Sequence, residues 1–156
     1  MNRTSKIVVL AFAMTILVAC VPVTAPTPVP AEADQQESIE GIIWQWIVLN
    51  NQATGVTQEV STPENYTIVF NPDGTTYGAA DCNNFSGVYS QEDGFTITLG
   101  PTTLAFCGDA SLDQQYLELL GALAAGGLDG TGGLALETAG GEQRMEFQNG
   151  GQATQP

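Results

Sequence analysis

Short runs of β-branched and aromatic residues, separated by turn residues, recur through most of this chain. Runs of this kind are typical of short strands in an antiparallel sheet. The Asn-Pro-Asp-Gly sequence at 71–74 favours a turn that joins two of them into a hairpin. We therefore predict a mostly β (α+β) fold, a compact antiparallel β-rich domain with one packed helix. The predicted strands are 42–49, 66–70, 75–79, 87–90, 95–99, 102–106, 134–136 and 145–147.

One helix interrupts the strands. Ser111 and Gln114 have the spacing of a capping box, which predicts a helix that begins near residue 111. Five apolar side chains then follow at helical spacing and form one stripe, which we expect to pack on the sheet. Glycines at 126–127 and 130–133 predict two turns after the helix. The stripe comprises Leu112, Tyr116, Leu119, Leu120 and Leu123.

The N-terminus resembles a lipoprotein signal peptide. Arg3 and Lys6 precede an apolar run at 7–18, which is too short to span a bilayer. The run ends in Leu-Val-Ala-Cys at 17–20, which resembles a lipobox, and Cys20 is then the lipidated residue and the membrane anchor. The alternative is an ordinary signal peptide with a chance cysteine. We expect an extracytoplasmic lipoprotein of the bacterial cell envelope, on its periplasmic or cell-surface side.

Four regions follow from this interpretation: a signal peptide at 1–19, the lipidated cysteine and a tether at 20–38, one domain at 39–149 and a frayed tail at 150–156. The tether is rich in proline up to residue 30 and polar after it. An extended polyproline segment rises about 3.1 Å per residue. The tether would therefore hold the domain away from the membrane.

The charge of the chain excludes several classes of partner. The chain has 17 acidic and three basic residues. Two of the basic residues lie in the signal peptide, so the mature chain keeps only Arg144 and a side-chain balance of 1 − 17 = −16. One arginine cannot support nucleic-acid binding, nor direct docking onto anionic headgroups. We expect a soluble domain, most simply a monomer, while a face that binds cations or a basic partner is the alternative.

Histidine is absent from the chain, which removes the commonest general base and metal ligand. We therefore predict no cofactor, no metal and no enzymatic activity. After lipidation of Cys20, only Cys82 and Cys107 remain, and they cannot fill a zinc site alone. We predict a disulfide between them, because the extracytoplasmic compartment is often oxidising. A free or redox-active pair is the alternative.

Several segments together resemble the META domain, the family of the heat-shock protein HslJ. They are G-x-x-W at 41–44, CN-x-F-x-G-x-Y at 82–89, T-T-x-x-x-C at 102–107, and the closing Leu-Ala-Leu and Met-Glu-Phe. The resemblance covers about 39–149 and implies a β-rich envelope domain with a helix on the sheet. The glycine-rich segment 124–133 departs from it. The family-motif residues are Trp44, Asn83, Phe85, Gly87, Tyr89, Thr102 and Thr103.

Two sets of residues have alternative interpretations. Asn83, Asn84, Ser86 and Gly87 either shape a corner between strands and anchor Cys82, or line a polar pocket with Asp81, Thr102 and Thr103. Trp44 and Trp46 either belong to the core or form a ligand platform.

The predicted function is a non-enzymatic envelope module, a stress-related interaction or scaffold domain with an unknown envelope partner. The alternative is a small ligand- or cation-binding module that uses the acidic loops at 92–93 and 129–132. A carboxylate-dependent hydrolase is the weakest of the three hypotheses.

Overall fold

The computed structural model describes residues 38–154 of the chain. Within this range it has nine strands and one α-helix, so the predicted fold class is confirmed. The helix α1 spans Asp113–Gly121, between the sixth and seventh strands. The strands are β1 Ile42–Asn51, β2 Val56–Glu59, β3 Tyr66–Phe70, β4 Thr75–Ala80, β5 Asn83–Ser90, β6 Thr96–Thr102, β7 Leu123–Leu128, β8 Leu134–Thr138 and β9 Gln143–Gln152.

The strands form one antiparallel sheet in the order β6-β5-β4-β3-β1-β9-β8-β7, with β2 paired to β1. The sheet is curled, and its two ends approach each other. The Phe95 backbone N–H, just before β6, donates to the Ala124 carbonyl of β7 at 3.0 Å. The inner face of the sheet is therefore enclosed, and α1 packs there against β4 and β6.

The core lies between this inner face and the helix. Trp44 and Trp46 are fully buried, and the Trp46 ring stacks on Tyr116 of α1 at 5.3 Å between centroids. The helix also buries Leu119 and Leu120. The two tryptophans are thus core residues, and the interpretation of them as a ligand platform is wrong.

The helix begins later than the capping box predicted. The Ser111 hydroxyl accepts from the Asp113 N–H at 3.2 Å, and no side chain caps the helix. Leu123 is buried as expected, but it opens β7 rather than ending the helix. The predicted apolar stripe is therefore confirmed for Tyr116, Leu119 and Leu120, but its last residue, Leu123, lies in the next strand.

The glycine-rich segment after the helix is a strand where we predicted a turn. Gly126 and Gly127 lie within β7 and pair with β8. A Cβ atom at Gly126 would collide with the Leu136 side chain, so the absence of a side chain permits the close approach of the two strands. The turn predicted at 130–133 is present, between β7 and β8.

Three further features of the structure were not predicted correctly. β2 was not predicted at all. The tail predicted from residue 150 is ordered through Thr154, because β9 continues along β1 to Gln152 and the Ala153 N–H donates to the Gly41 carbonyl. The strand predicted at 102–106 is absent, since β6 ends at Thr102 and an irregular loop follows.

The predictions for the signal peptide, Cys20 and the tether up to residue 37 lie outside the described residues. Within residues 38–154, no helix has the length and hydrophobicity to cross a bilayer.

Candidate functional site

A disulfide joins Cys82, in the turn between β4 and β5, to Cys107, in the loop after β6. Their Cα atoms are 5.6 Å apart, and 25 residues separate them in sequence. The predicted pairing is therefore present. The strand predicted at 102–106, directly before Cys107, is not formed, and Cys107 belongs to an irregular segment. We call residues 103–107 the disulfide loop.

The buried side chain of Asn83 holds the disulfide loop from the inside. Its Oδ1 accepts from the Ala105 N–H at 2.7 Å and from the Thr103 hydroxyl at 3.1 Å. Its Nδ2 lies 3.0 Å from the Ala105 carbonyl, 3.2 Å from Cys107 Sγ and 3.0 Å from Asp113 Oδ2. One amide thus satisfies both backbone groups of Ala105 and connects the loop to the start of α1.

The backbone of Asn84 adds a second attachment. Its N–H donates to the Thr103 hydroxyl at 2.9 Å, and its carbonyl accepts from the Thr103 N–H at 3.0 Å. The loop is therefore held at both ends and at its centre. A side chain, rather than a neighbouring strand, occupies the backbone groups of Ala105, which explains why the alternating sequence does not form a strand here.

The disulfide loop presents two large apolar side chains to solvent. Leu104 is 88% exposed and Phe106 is 82% exposed, the highest values among the large hydrophobic residues that are exposed in the described chain. Apolar residues in a well-anchored loop would ordinarily turn toward the core. Their outward position therefore makes this loop the candidate functional site.

The surroundings of the disulfide loop are acidic. Asp81, Asp109 and Asp113 flank it in sequence or in space. Arg144, the one basic side chain of residues 38–154, lies elsewhere, on β9. It contacts Glu137 at 2.6 Å and Glu146 at 3.5 Å, and its hydrogen bond to Glu137 raises the pKa of the guanidinium.

The family model of the META domain matches residues 38–151, which is most of the chain. The chain belongs to the META domain family. Residues that carried the resemblance at the sequence level, including Trp44 and Asn83, thus lie in the core and in the disulfide-loop anchor of a META domain.

Two solved structures share the fold of this META domain. A DUF4847 family protein from Bacteroides vulgatus ATCC 8482 is 13% identical, with a TM-score of 0.56, covering 70% of this chain and 93% of its own. A protein from Burkholderia xenovorans, solved by NMR, is 20% identical, with a TM-score of 0.55, covering 71% of this chain and 83% of its own. At these identities the likeness concerns the fold. A search of curated proteins gave no match.

The remaining motif residues of the META domain are mostly structural. Phe85 is buried, and the Tyr89 hydroxyl lies 3.2 Å from Glu40 Oε1 and donates to the Asn71 carbonyl at 3.1 Å. Partial burial, with the nearby Glu40 carboxylate, raises the pKa of Tyr89 to about 12. The Thr102 hydroxyl donates to the Gly100 carbonyl at 3.3 Å.

The polar-pocket interpretation of the motif is wrong. Successive residues of β5 point to opposite faces of the sheet, so Asn83 faces inward while Asn84 and Ser86 are exposed on the outer face. Asn83 anchors the loop through its side chain instead. The other interpretation, that these residues shape a corner and anchor Cys82, fits Asn83, but its burial and its contacts with the disulfide loop depend on the tertiary structure.

The acidic loops are not assembled as a cation site. Asp129 Oδ1 accepts from the N–H and hydroxyl of Thr131 and from the Gly133 N–H, at 2.7, 2.8 and 3.0 Å. These hydrogen bonds lower the pKa of Asp129. Within residues 38–154, no group of three acidic, cysteine or histidine side chains is placed to hold a metal ion. The carboxylate of Asp129 closes its own turn.

Proposed function

We propose that this META domain is a non-enzymatic interaction module of the bacterial envelope, anchored by lipid on Cys20, whose disulfide loop docks onto a partner protein. The observation that carries the proposal is the exposure of Leu104 and Phe106 on a loop fixed by a disulfide and a buried asparagine. A loop held in this way presents its apolar side chains in one arrangement.

The energetics favour such a loop as a docking element. Full burial of a leucine or phenylalanine side chain contributes about 1.5–3 kcal/mol each. Part of this favourable free energy is usually lost when binding must order a flexible loop. The disulfide and the five contacts of Asn83 order this loop before a partner arrives. The loop is therefore ordered in advance for binding, and Phe106 supplies an aromatic side chain of the kind that is enriched in protein interfaces.

The charge around the loop defines the chemistry of the partner. Acidic residues flank the loop, and the single arginine of the mature chain is engaged with Glu137 and Glu146. A complementary partner would offer an apolar pocket with lysine or arginine at its rim. The same acidity argues against insertion of Phe106 into an anionic bilayer, where the surface potential repels carboxylates.

Two other observations support the non-enzymatic part of the proposal. The chain contains no histidine. The carboxylates of Asp73 and Asp129 accept hydrogen bonds from their own turns, which lower the pKa of each, so neither is poised as a general acid or base at neutral pH.

The docking proposal is tested with lipidated protein purified from detergent-solubilised envelopes. A pull-down with the wild-type chain is compared with the double variant Leu104→Ser/Phe106→Ser. Val56→Ser serves as a matched control, because Val56 is 61% exposed on β2, outside the disulfide loop. We expect the control to recover the same partner as the wild type and the double variant to lose most of it. Equal recovery by all three proteins would refute docking through the loop.

The anchor is tested separately by membrane fractionation. The Cys20→Ser variant should leave the membrane fraction, and an inhibitor of signal peptidase II should cause the unprocessed precursor to accumulate. A Cys20→Ser protein that stays with the membranes would exclude lipid on this residue as the anchor, and would leave the docking result unaffected.

A further inference from the structure

The outer face of strands β3 to β6 differs from the rest of this acidic chain. Register and alternation place twelve described residues on this face, and none of them has a charged side chain. We call this surface the neutral face. Its residues are Thr67, Val69, Thr75, Tyr77, Ala79, Asn84, Ser86, Val88, Ser90, Thr96, Thr98 and Gly100. Val69 is the buried member of this set.

Tyr77 lies at the centre of the neutral face and is 38% exposed. It pairs with Val69 on one side and with Ser86 on the other. A concave region of about 580 Å³ lies on the β3 side of Tyr77, where Ile43 of β1 also contributes, and a second of about 570 Å³ lies over β5 and β6. Both regions are open depressions of the surface rather than enclosed cavities, and Tyr77 lines both.

The charge of the face limits what it can bind. It lacks the lysine and arginine that phosphate, sulfate or carboxylate groups require, and it lacks the carboxylates that cations require. The mature chain carries a side-chain balance of −16, so an anionic polymer would also be repelled by the whole domain. The occupant that fits is therefore uncharged.

The position on a face, rather than on an edge, limits the ligand further. Strands β3, β4 and β5 are each paired on both sides, so their backbone groups are already used within the sheet. Strand β6 stands at the end of the strand order, and a peptide added there would lie beside the neutral face rather than across it. An extended peptide that adds a strand needs a free edge. The neutral face presents the ring of Tyr77 together with a regular set of hydroxyl and amide groups. These groups suit a ligand that has many hydroxyls and flat C–H surfaces.

We propose that the neutral face binds an uncharged glycan chain that crosses β3 to β6. The Tyr77 ring stacks on a sugar ring, and Thr67 and Asn84 on one side and Ser86 and Thr98 on the other hydrogen-bond to hydroxyl groups. A second copy of the chain fits this face less well, because sheet-on-sheet packing requires an apolar surface and both copies are strongly acidic. This site is separate from the disulfide loop and goes beyond the function proposed above.

The test is isothermal titration of the full chain with neutral oligosaccharides, using hexamers of β-1,4-linked glucose and of N-acetylglucosamine. The detergent must have no sugar headgroup, since such a headgroup would compete. We expect binding of at least one hexamer, and Tyr77→Ala should weaken it about 10-fold or more, since loss of about 1.4 kcal/mol of aromatic contact corresponds to that factor. Tyr77→Phe should retain most of the affinity. Thr98→Asp, which adds a charge at an exposed position, should also weaken binding.

Phe106→Ser is the control, because it alters the disulfide loop and should leave glycan binding unchanged while it impairs docking. Loss of glycan binding in Tyr77→Ala with normal docking would separate the two proposals. The glycan proposal is overturned if neither hexamer binds, or if Tyr77→Ala and Thr98→Asp bind as the wild type does. It is also overturned if oligogalacturonate, an acidic glycan, binds equally well, or if Tyr77→Ala abolishes self-association, which would assign the face to a second copy.

Discussion

Replacing Asn83 by aspartate tests whether one buried amide holds the disulfide loop. The Asn83→Asp variant keeps the shape of the side chain and its Oδ1, which accepts from Ala105 and Thr103. It removes the NH2 group that lies 3.0 Å from both the Ala105 carbonyl and Asp113 Oδ2. In its place it puts an oxygen that carries negative charge when ionised.

The expected magnitude follows from these contacts. Two hydrogen bonds to oxygen are lost, and each contributes about 0.5–1.5 kcal/mol. The introduced carboxylate also lies next to Asp113, in a position where Asn83 is 1% exposed. Burial and the neighbouring carboxylate both disfavour its charged form, and each unit of pKa change corresponds to about 1.4 kcal/mol. We expect a total loss of about 3–5 kcal/mol in the free energy of unfolding at pH 7.

The loss should depend on pH with a defined sign. Both effects raise the pKa of the introduced carboxyl in the folded state above its value in the unfolded chain. The folded protein then binds more protons than the unfolded protein, so stability falls as pH rises through this range. The deficit relative to wild type should therefore be largest at pH 7 and smallest near pH 4, where the protonated carboxyl can donate to Asp113 Oδ2.

The assay is urea unfolding under non-reducing conditions at pH 7 and pH 4, followed by tryptophan fluorescence. Asn84→Asp is the matched control, because the same chemical change is made at an exposed residue whose side chain does not hold the loop. It should change stability by less than about 0.5 kcal/mol. An Asn83→Asp deficit below 1 kcal/mol, or one that grows as pH falls, would refute the anchoring role of Asn83.

Three further predictions concern the core and the disulfide. The double variant Cys82→Ala/Cys107→Ala should lower the free energy of unfolding by roughly 3.5 kcal/mol in a urea titration, because the disulfide no longer links two positions 25 residues apart. Two reactive thiols in the untreated wild-type protein would exclude the bond. Tyr116→Phe should be as stable as wild type or more stable by about 1 kcal/mol, because the hydroxyl is buried without a partner in the described residues; a clear loss in thermal unfolding would show that a partner exists. Leu120→Ala should lose about 2–5 kcal/mol in the same assay, and a change below 0.5 kcal/mol would mean that the helix does not bury this residue.

Local pattern predicted those features of the domain that depend on a few neighbouring residues. The alternation at 42–49 placed Trp44 and Trp46 on one face, and the helical spacing placed Tyr116, Leu119 and Leu120 on another, and all five are buried. Burial of an apolar face is the main stabilising force in both cases, so the pattern suffices.

Features that depend on which hydrogen-bonding or packing partner a segment takes in the folded domain could not be predicted in this way. Residues 102–106 alternate as a strand does, but Asn83 takes the backbone groups of Ala105, and the segment becomes a loop. The glycines of β7 favour a turn locally, yet pairing with β8 and contact with Leu136 make the segment a strand. Tertiary hydrogen bonds and packing outweigh local preference at both positions.

The same distinction between sequence and tertiary structure applies to the two proposed binding surfaces. The sequence by itself determined that the chain is acidic, that Cys82 and Cys107 fall within the predicted domain, and that this domain is mostly β. It could not show that Leu104 and Phe106 point outward, since the same residues in a strand would alternate with their neighbours. Nor could it show that the neutral side chains of four consecutive strands share one face, because a shift of one residue in any of the three hairpin registers would move the side chains of a strand to the opposite face.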